Sequence, residues 1–337
     1  MARYWVAGAT GFLGSHLASQ LIEAGHEVTL VSRSGGDVSG IPVSPLDILD
    51  EAAVAASARG LDGAFLCAGK VSRDPADAEE LHRVHVTGTR AALAGLAAAG
   101  VPRVVYASTS GTIAVGRDPD QIFDEQSDAP LELLARWPYY RTKLYAEREA
   151  LEAAARGQHV VVMNPTLLLG PGDVRESSTG DVRLFLERKV VATPAGGLSF
   201  VDVRDAASAL IAAMDRGRSG ERYLLSARNM TIAAFFQRLE RVSGVRAPLL
   251  RLPKARSLAL GASRLFSRAV RALGAEPPVD DVSVEMAQYF WYCDARKAEE
   301  ELGFQPRDAG ETLRDTVRDL IDRGVVFPEG VRELGAR

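Results

Sequence analysis

Val6-Ala7-Gly8-Ala9-Thr10-Gly11-Phe12-Leu13-Gly14 decides the fold. A short apolar strand runs into three glycines, and the chain continues in a helical pattern with Leu13, Leu17 and Leu21 recurring at every fourth residue. The glycines have separable uses. Gly8 permits a tight turn, Gly11 allows close approach of a ligand to the backbone, and Gly14 lets the helix pack against the strand. The helix N-terminus then presents free N–H groups and a positive dipole end, so Thr10, Gly11, Phe12 and Leu13 are expected to hold a pyrophosphate. An ordinary strand-turn-helix is the competing reading of three glycines. Their place directly after the first strand of an alternating chain favours a dinucleotide.

Outward from this turn, β-branched runs alternate with helical stretches. Strands are expected over Tyr4–Ala7, Glu27–Val31, Gly63–Leu66, Arg103–Ala107 and Val160–Met163. Helices are expected over Gly11–Ala24, Glu79–Ala99 and Tyr139–Arg156. The pattern predicts an α/β fold: a doubly wound parallel sheet of the Rossmann type, followed by a smaller C-terminal α/β region that binds substrate. Residues 1–169 would form the dinucleotide-binding unit, with a segment near 200–228 returning to it, and 170–337 would be mainly substrate-binding region and C-terminal helices. The last helix, Gly310–Arg323, is expected to pack back on the first unit.

Composition narrows the function. The chain has 337 residues, 47% of them hydrophobic, enough for a substantial core. Its 40 basic and 44 acidic residues are dispersed, so no nucleic-acid footprint is expected. Cys67 and Cys293 lie far apart in sequence and suggest neither a disulfide scaffold nor a metal site. With no apolar run long enough to span a bilayer and no secretion signal at the start, a soluble cytoplasmic protein is expected. The stretch from Lys254 to Ala275 holds Arg256, Arg264, Arg268 and Arg271 without an acid, alongside Leu258, Leu265, Phe266, Val270 and Leu273. Packing on its own domain is expected for this stripe rather than contact with a membrane.

Trp137-Pro138-Tyr139-Tyr140-Arg141-Thr142-Lys143 begins a helix on which Tyr139 and Lys143 share one face. A free phenol titrates near about 10, so a neighbouring ammonium together with a cationic nicotinamide is expected to lower Tyr139 toward a useful range. Upstream, Ser108-Thr109-Ser110 follows a buried strand, where a hydroxyl can polarise a substrate carbonyl. The end of the second strand reads Val31-Ser32-Arg33-Ser34. Ser32 and Arg33 suit a 2′-phosphate, favouring NADPH, while Asp37 nearby keeps NADH open.

Together these residues resemble the extended short-chain dehydrogenase/reductases, in particular the NAD-dependent epimerase/dehydratase group with its dihydroflavonol reductase and 3β-hydroxysteroid dehydrogenase branches. The resemblance covers nearly the whole chain. It implies that Asp47-Ile48 lies at the adenine and that Cys67-Ala68-Gly69 runs along the cofactor. It also implies that Pro165 to Leu167, within Asn164-Pro165 through Gly170-Pro171, sits near the nicotinamide. Thr109 falls at the catalytic hydroxyl position with Ser108 beside it, and Ser110 is a lesser alternative. Where relatives use Asn in an N-V-x-G-T segment, this chain has His85-Val86-Thr87-Gly88-Thr89. His85 is thus either part of a proton relay at the substrate or a satisfied buried histidine.

The activity implied is NADPH-dependent reduction of a ketone, or the reverse oxidation, with a small carbonyl or alcohol substrate. Thr109, Tyr139 and Lys143 would be its catalytic trio. A sugar-nucleotide epimerase or dehydratase holding NAD is the first alternative, and a non-catalytic dinucleotide sensor the second. The arginine that such sugar-nucleotide enzymes carry just before the segment resembling Phe200-Val201-Asp202 is replaced here by Gly197-Leu198-Ser199, which leaves Arg183 and Arg204 as substitutes. The resemblance also implies a homodimer built on the helices over Glu79–Ala99 and Tyr139–Arg156, although nothing in the chain itself shows one.

Overall fold

The computed structural model describes residues 1–328 apart from 254, 273, 275 and 276, and only the backbone of Arg256 and Phe266. The first half alternates as its hydrophobic pattern dictates. β1 (Arg3–Ala7), α1 (Phe12–Glu23) and β2 (Glu27–Ser32) form the opening unit, and a hairpin of β3 (Gly36–Val38) and β4 (Ile41–Pro45) follows. Next come α2 (Glu51–Ser57), β5 (Gly63–Leu66), α3 (Ala78–His82), α4 (Gly88–Ala98) and β6 (Val104–Ala107). α5 (Leu131–Leu134), α6 (Pro138–Ala155) and β7 (Val160–Pro165) complete this half.

The second half is less regular. It contains β8 (Leu167–Leu169), α7 (Gly180–Leu186), β9 (Ala192–Thr193), β10 (Gly197–Asp202), α8 (Val203–Arg216), β11 (Arg222–Leu225) and β12 (Arg228–Thr231). α9 (Ile232–Ser243), β13 (Leu250–Arg251), α10 (Arg256–Ala272), α11 (Asp281–Met286), α12 (Arg296–Leu302) and α13 (Ala309–Asp322) follow.

The main sheet has eight strands in the order β11-β7-β6-β5-β1-β2-β4-β3, parallel except for β3, which runs antiparallel to β4. β11 closes one edge by pairing with β7, so residues 222–225 belong to this sheet. The chain leaves β1 in one direction toward β2 and returns on the other side at β5, which opens a crevice beyond the carboxyl ends of these two strands. Trp5, Val6, Phe65, Val104 and Val162 are fully buried because helices cover both sheet faces. α1 and α8 cover one face, and α2, α4 and α6 cover the other. Two small sheets, β12-β10-β8 and β13-β9, carry the second half.

Two elements differ from expectation. The helix expected over Glu79–Ala99 is divided by a wide turn of π type at Arg83–Thr87. Gly88 and Gly95 then bring its second part close to the neighbouring layer, where a Cβ on Gly95 would stand 2.9 Å from Val54 Cβ. The last helix, α13, meets the first unit only at its edge: its stripe of Leu313, Val317 and Leu320 completes a separate core with Phe185, Phe235 and Phe236, which Leu169 and Phe200 join. α12 packs on the first unit instead, through Ala298 and Leu302.

Candidate active site

The glycine turn is built as a cradle. Gly8 has φ +76°, and a Cβ there would lie 2.8 Å from the Ala68 backbone nitrogen. A Cβ on Gly14 would run into the Gly8 carbonyl oxygen, and one on Gly11 would stand 3.1 Å from it. The N-cap of α1, Gly11, makes no side-chain capping bond, which leaves the first N–H groups of the helix to an anionic ligand. These residues therefore fit a dinucleotide pyrophosphate, in a form that alanine at position 8 or 14 would spoil.

One cavity of about 1270 Å³ begins at this cradle. Thr10, Gly11, Phe12, Leu13 and Gly14 line one end, and Cys67, Ala68, Gly69, Pro165 and Leu167 continue along it. Ser108, Thr109, Ser110, Tyr139, Lys143 and His85 line the same cavity farther on. Arg33 and Asp37 also line it, with Arg33 3.6 Å from Glu80 and its side chain 69% exposed. Ser32, Asp47 and Ile48 are not among the described lining residues. The Ser32 hydroxyl donates to the Gly35 carbonyl at 3.0 Å, Asp47 accepts from Leu49 N at 3.1 Å, and Ile48 is buried where it would meet a Cβ on Gly88.

Arg183 and Arg204 do not reach the cavity lining. Arg183 pairs with Glu176 and with Glu187, and Arg204 with Asp202 and Asp315 at 2.7 Å each, so both cations are already neutralised by acids on neighbouring elements. Neither is placed to substitute for the arginine missing at Gly197-Leu198-Ser199.

α6 positions the tyrosine and lysine. Pro138 occupies its first turn, and Tyr139 and Lys143 follow one turn apart. The Lys143 ammonium donates to the Ala107 carbonyl at 2.8 Å and to the Tyr106 hydroxyl at 3.1 Å, and sits 4.8 Å from the Tyr106 ring centre. Burial pushes Lys143 down to about 8. Burial also raises the Tyr139 phenol above its ordinary range, with Tyr140 and Tyr106 adding to the effect. Lys143 does not offset this by itself, because the ammonium is directed to the end of β6 and desolvation of the phenol dominates.

His85 is 1% exposed and held at both ring nitrogens. Nδ1 lies 2.9 Å from Thr142 Oγ1, and Nε2 lies 2.9 Å from the Lys70 carbonyl. Burial, then the nearby Lys143 charge, depresses it to about 3, so the ring is neutral at physiological pH. Its edge meets the Tyr139 ring with centroids 5.6 Å apart. Of the two readings of His85, these bonds match the satisfied buried histidine. Burial likewise raises the Cys67 thiol to about 12, so it stays protonated at physiological pH.

A group passed over in the sequence reading lies beneath the hydroxyl cluster. Glu147, four residues after Lys143 on α6, is 1% exposed. Its Oε2 accepts from Ser108 Oγ at 2.5 Å, Asn164 Nδ2 at 2.7 Å and Thr112 Oγ1 at 3.0 Å, and Arg222 Nε stands 3.3 Å from Oε1. Such a buried carboxylate is tolerated only when surrounded by donors in this way. The Ser108 hydroxyl proton is thereby committed to the carboxylate. Thr109 Oγ1 accepts only from Gly111 N, at a long 3.4 Å, so its hydroxyl proton remains available.

Beyond Tyr139 the walls become apolar, with Leu198, Ile232, Phe235, Phe236, Met286 and Trp291 among them. Two cations on this side are paired: Arg73 bonds both oxygens of Asp181, at 3.0 and 2.8 Å, and Lys189 stands 2.8 Å from Glu187. Arg175 is exposed at the lining. Among the described residues no cluster of side chains could hold a metal ion, and no helix is long and apolar enough to cross a membrane.

Residues 4–226 match the model of the NAD dependent epimerase/dehydratase family. A protein of Synechocystis sp., provisionally named dihydroflavonol 4-reductase, is 33% identical over 332 residues, covering 96% of each chain. Sterol demethylase protein B of Methylococcus capsulatus is 31% identical over 330 residues, covering 95% of this chain and 99% of its own. Among solved structures, a nucleoside-diphosphate-sugar epimerase of Pseudomonas aeruginosa superposes with a TM-score of 0.76 at 26% identity, covering 97% of this chain and 99% of the other.

Proposed function

Because the chain belongs to the NAD dependent epimerase/dehydratase family and is an NAD(P)-dependent oxidoreductase, we propose that it reduces a ketone on an apolar substrate, or performs the reverse oxidation, with NADPH as the preferred dinucleotide. One observation carries this reading: a single cavity joins the glycine cradle, the Thr109, Tyr139 and Lys143 side chains, and an apolar chamber. Bound along Cys67 to Gly69 and Pro165 to Leu167, the nicotinamide would supply hydride to a carbonyl carbon or take it from an alcohol. Thr109 donates a hydrogen bond to the substrate oxygen and fixes its position. Tyr139 gives that oxygen a proton in reduction and accepts one in oxidation. Lys143 holds the cofactor ribose, and its ammonium favours the phenolate once a cationic ring is also present. The apolar walls exclude water from the proton-transfer path. Arg33 offers a planar fork of donors to a 2′-phosphate.

Similarity to a nucleoside-diphosphate-sugar epimerase, together with the exposed Arg175 at the lining, favours a second reading as a sugar-nucleotide enzyme. The chamber argues for the first, since Arg183 and Arg204 are engaged elsewhere and Arg73 and Lys189 are paired. A panel of apolar ketones, their alcohols and sugar nucleotides, followed by nicotinamide absorbance and product analysis, separates the two. Net oxidation of NADPH with a ketone alone supports the reductase; conversion of a sugar nucleotide without net change in cofactor supports the epimerase.

A further inference from the structure

α10 is assembled in the reverse sense to a helix that packs on its own domain. Over Arg256–Ala272 the sequence holds four arginines and no acid. Leu258, Ala262, Leu265, Ala269 and Ala272 recur at helical spacing as one stripe, and all five are exposed. Leu258 is 63% and Leu265 71% exposed, whereas Ala259 and Ser267 are buried. Arg264, Arg268 and Arg271 follow the apolar stripe along one flank and are exposed as well. Asp281 of α11 accepts from Ser263 Oγ of this helix at 3.1 Å. The expectation that this stripe packs on its own domain is therefore not met for its two exposed leucines.

The apolar surface extends past the helix. Leu249 and Leu250 are 98% and 67% exposed and precede Leu252, which lines the cavity together with Val191, Ala262 and Val279. The Leu249–Leu250 segment and α10 thus both reach the chamber, the first through Leu252 and the second through Ala262.

We propose that α10 and the Leu249–Leu250 segment dock on an anionic membrane surface, which delivers a lipid-dissolved ketone into the chamber. An apolar stripe flanked by arginines sinks to the boundary between headgroups and acyl chains while the guanidinium groups meet lipid phosphates. A second copy of this chain is the poorer occupant, because a two-fold contact would set the same acid-free arginine flank against itself. The docking surface stands on its own; delivery of the ketone rests on the reductase reading.

The test is co-sedimentation of the full chain with vesicles of phosphatidylcholine alone and of phosphatidylcholine with phosphatidylglycerol. Binding is expected only to the anionic vesicles, falling as salt is raised. The Leu258→Ser/Leu265→Ser and Arg264→Glu/Arg268→Glu variants should each bind them roughly tenfold or more weakly. NADPH binding measured by fluorescence should be unchanged in both and serves as the control for folding. Absence of binding to anionic vesicles, or variants that pellet like the parent, overturns the proposal. Concentration-dependent self-association abolished by the leucine variant, with no vesicle binding, also overturns it and assigns the face to a second copy. If the protein docks yet reduces a water-soluble ketone and not one dissolved in the vesicle, delivery fails while the reductase reading stands; if no ketone is reduced, that reading is what has failed.

Discussion

Ser108 donates its hydroxyl to Glu147 Oε2 at 2.5 Å, so the first hydroxyl of the Ser108-Thr109-Ser110 cluster is tied to a carboxylate under the site. Removing the carboxylate leaves Ser108, Thr112 and Asn164 without their common acceptor and Arg222 without its partner. Glu147→Ala should therefore lower stability by about 3–5 kcal/mol. Urea denaturation reads this directly, and a change within about 0.5 kcal/mol would show that the network contributes little.

The same bond separates the roles of the two hydroxyls. Ser108→Ala should reduce stability by about 1–3 kcal/mol while preserving most turnover. Thr109→Val should leave stability nearly unchanged and lower kcat by roughly a hundredfold. Steady-state kinetics on both variants, with melting curves alongside, would reverse the assignment if Ser108→Ala were the slower enzyme.

Tyr139 is buried, edge-on to His85 and Tyr140, and its phenol is held above its usual range. Tyr139→Phe keeps the ring packing and removes only the phenolic hydroxyl. NADPH binding should persist in a fluorescence titration, and turnover should fall by roughly 10²–10⁴-fold. Full turnover in this variant would remove Tyr139 from the reaction.

Arg33 is the cation at the end of β2 that lines the cofactor end of the cavity. Arg33→Ala should weaken NADPH by roughly tenfold or more and NADH little, because a charge-assisted fork to a 2′-phosphate is lost only for the first. Equal losses in parallel titrations would mean that this guanidinium does not meet a phosphate.

His85 makes stability depend on pH with a definite sign. Its folded value of about 3 lies below the ordinary 6.5, so the unfolded chain takes up a proton that the folded chain refuses. Stability is fully present above pH 6.5 and declines as pH falls toward 3, by about 2 kcal/mol at pH 5. Denaturation midpoints from pH 7 to 5 should fall less steeply in His85→Asn than in the parent. Parallel slopes would place the acid sensitivity elsewhere.

The opening β1-turn-α1 unit was legible because each of its requirements is local: a short apolar strand, three glycines spaced three residues apart and a leucine every fourth residue. The central strands were legible because burial on both faces writes itself as continuous apolar runs such as Val104-Val105-Tyr106-Ala107. The hairpin of β3 and β4 and the two-residue strands β9 and β13 leave too short a pattern to detect. The seat of α13 was missed for another reason: the stripe of Leu313, Val317 and Leu320 announces a buried face, yet Phe235 and Phe236 become its partners only through long-range packing. At the site, the lining positions of Tyr139 and Lys143 could be placed from spacing and that of Thr109 from the family resemblance, whereas Arg183 and Arg204 could not be seen to be paired already. Glu147 did leave a signal, since it continues the face of Tyr139 and Lys143 by one further turn.

The wide turn at Arg83–Thr87 separates the two halves of its helix. Because that turn holds one residue more than an α turn, deleting a single amino acid within it would let the segment tighten to ordinary α spacing while leaving α3 and α4 facing nearly as before. Glu80 would then stay beside Lys70 and Arg33. What a shortened chain of this kind would lose is the bulged backbone around His85, not the orientation of the acids upstream of it.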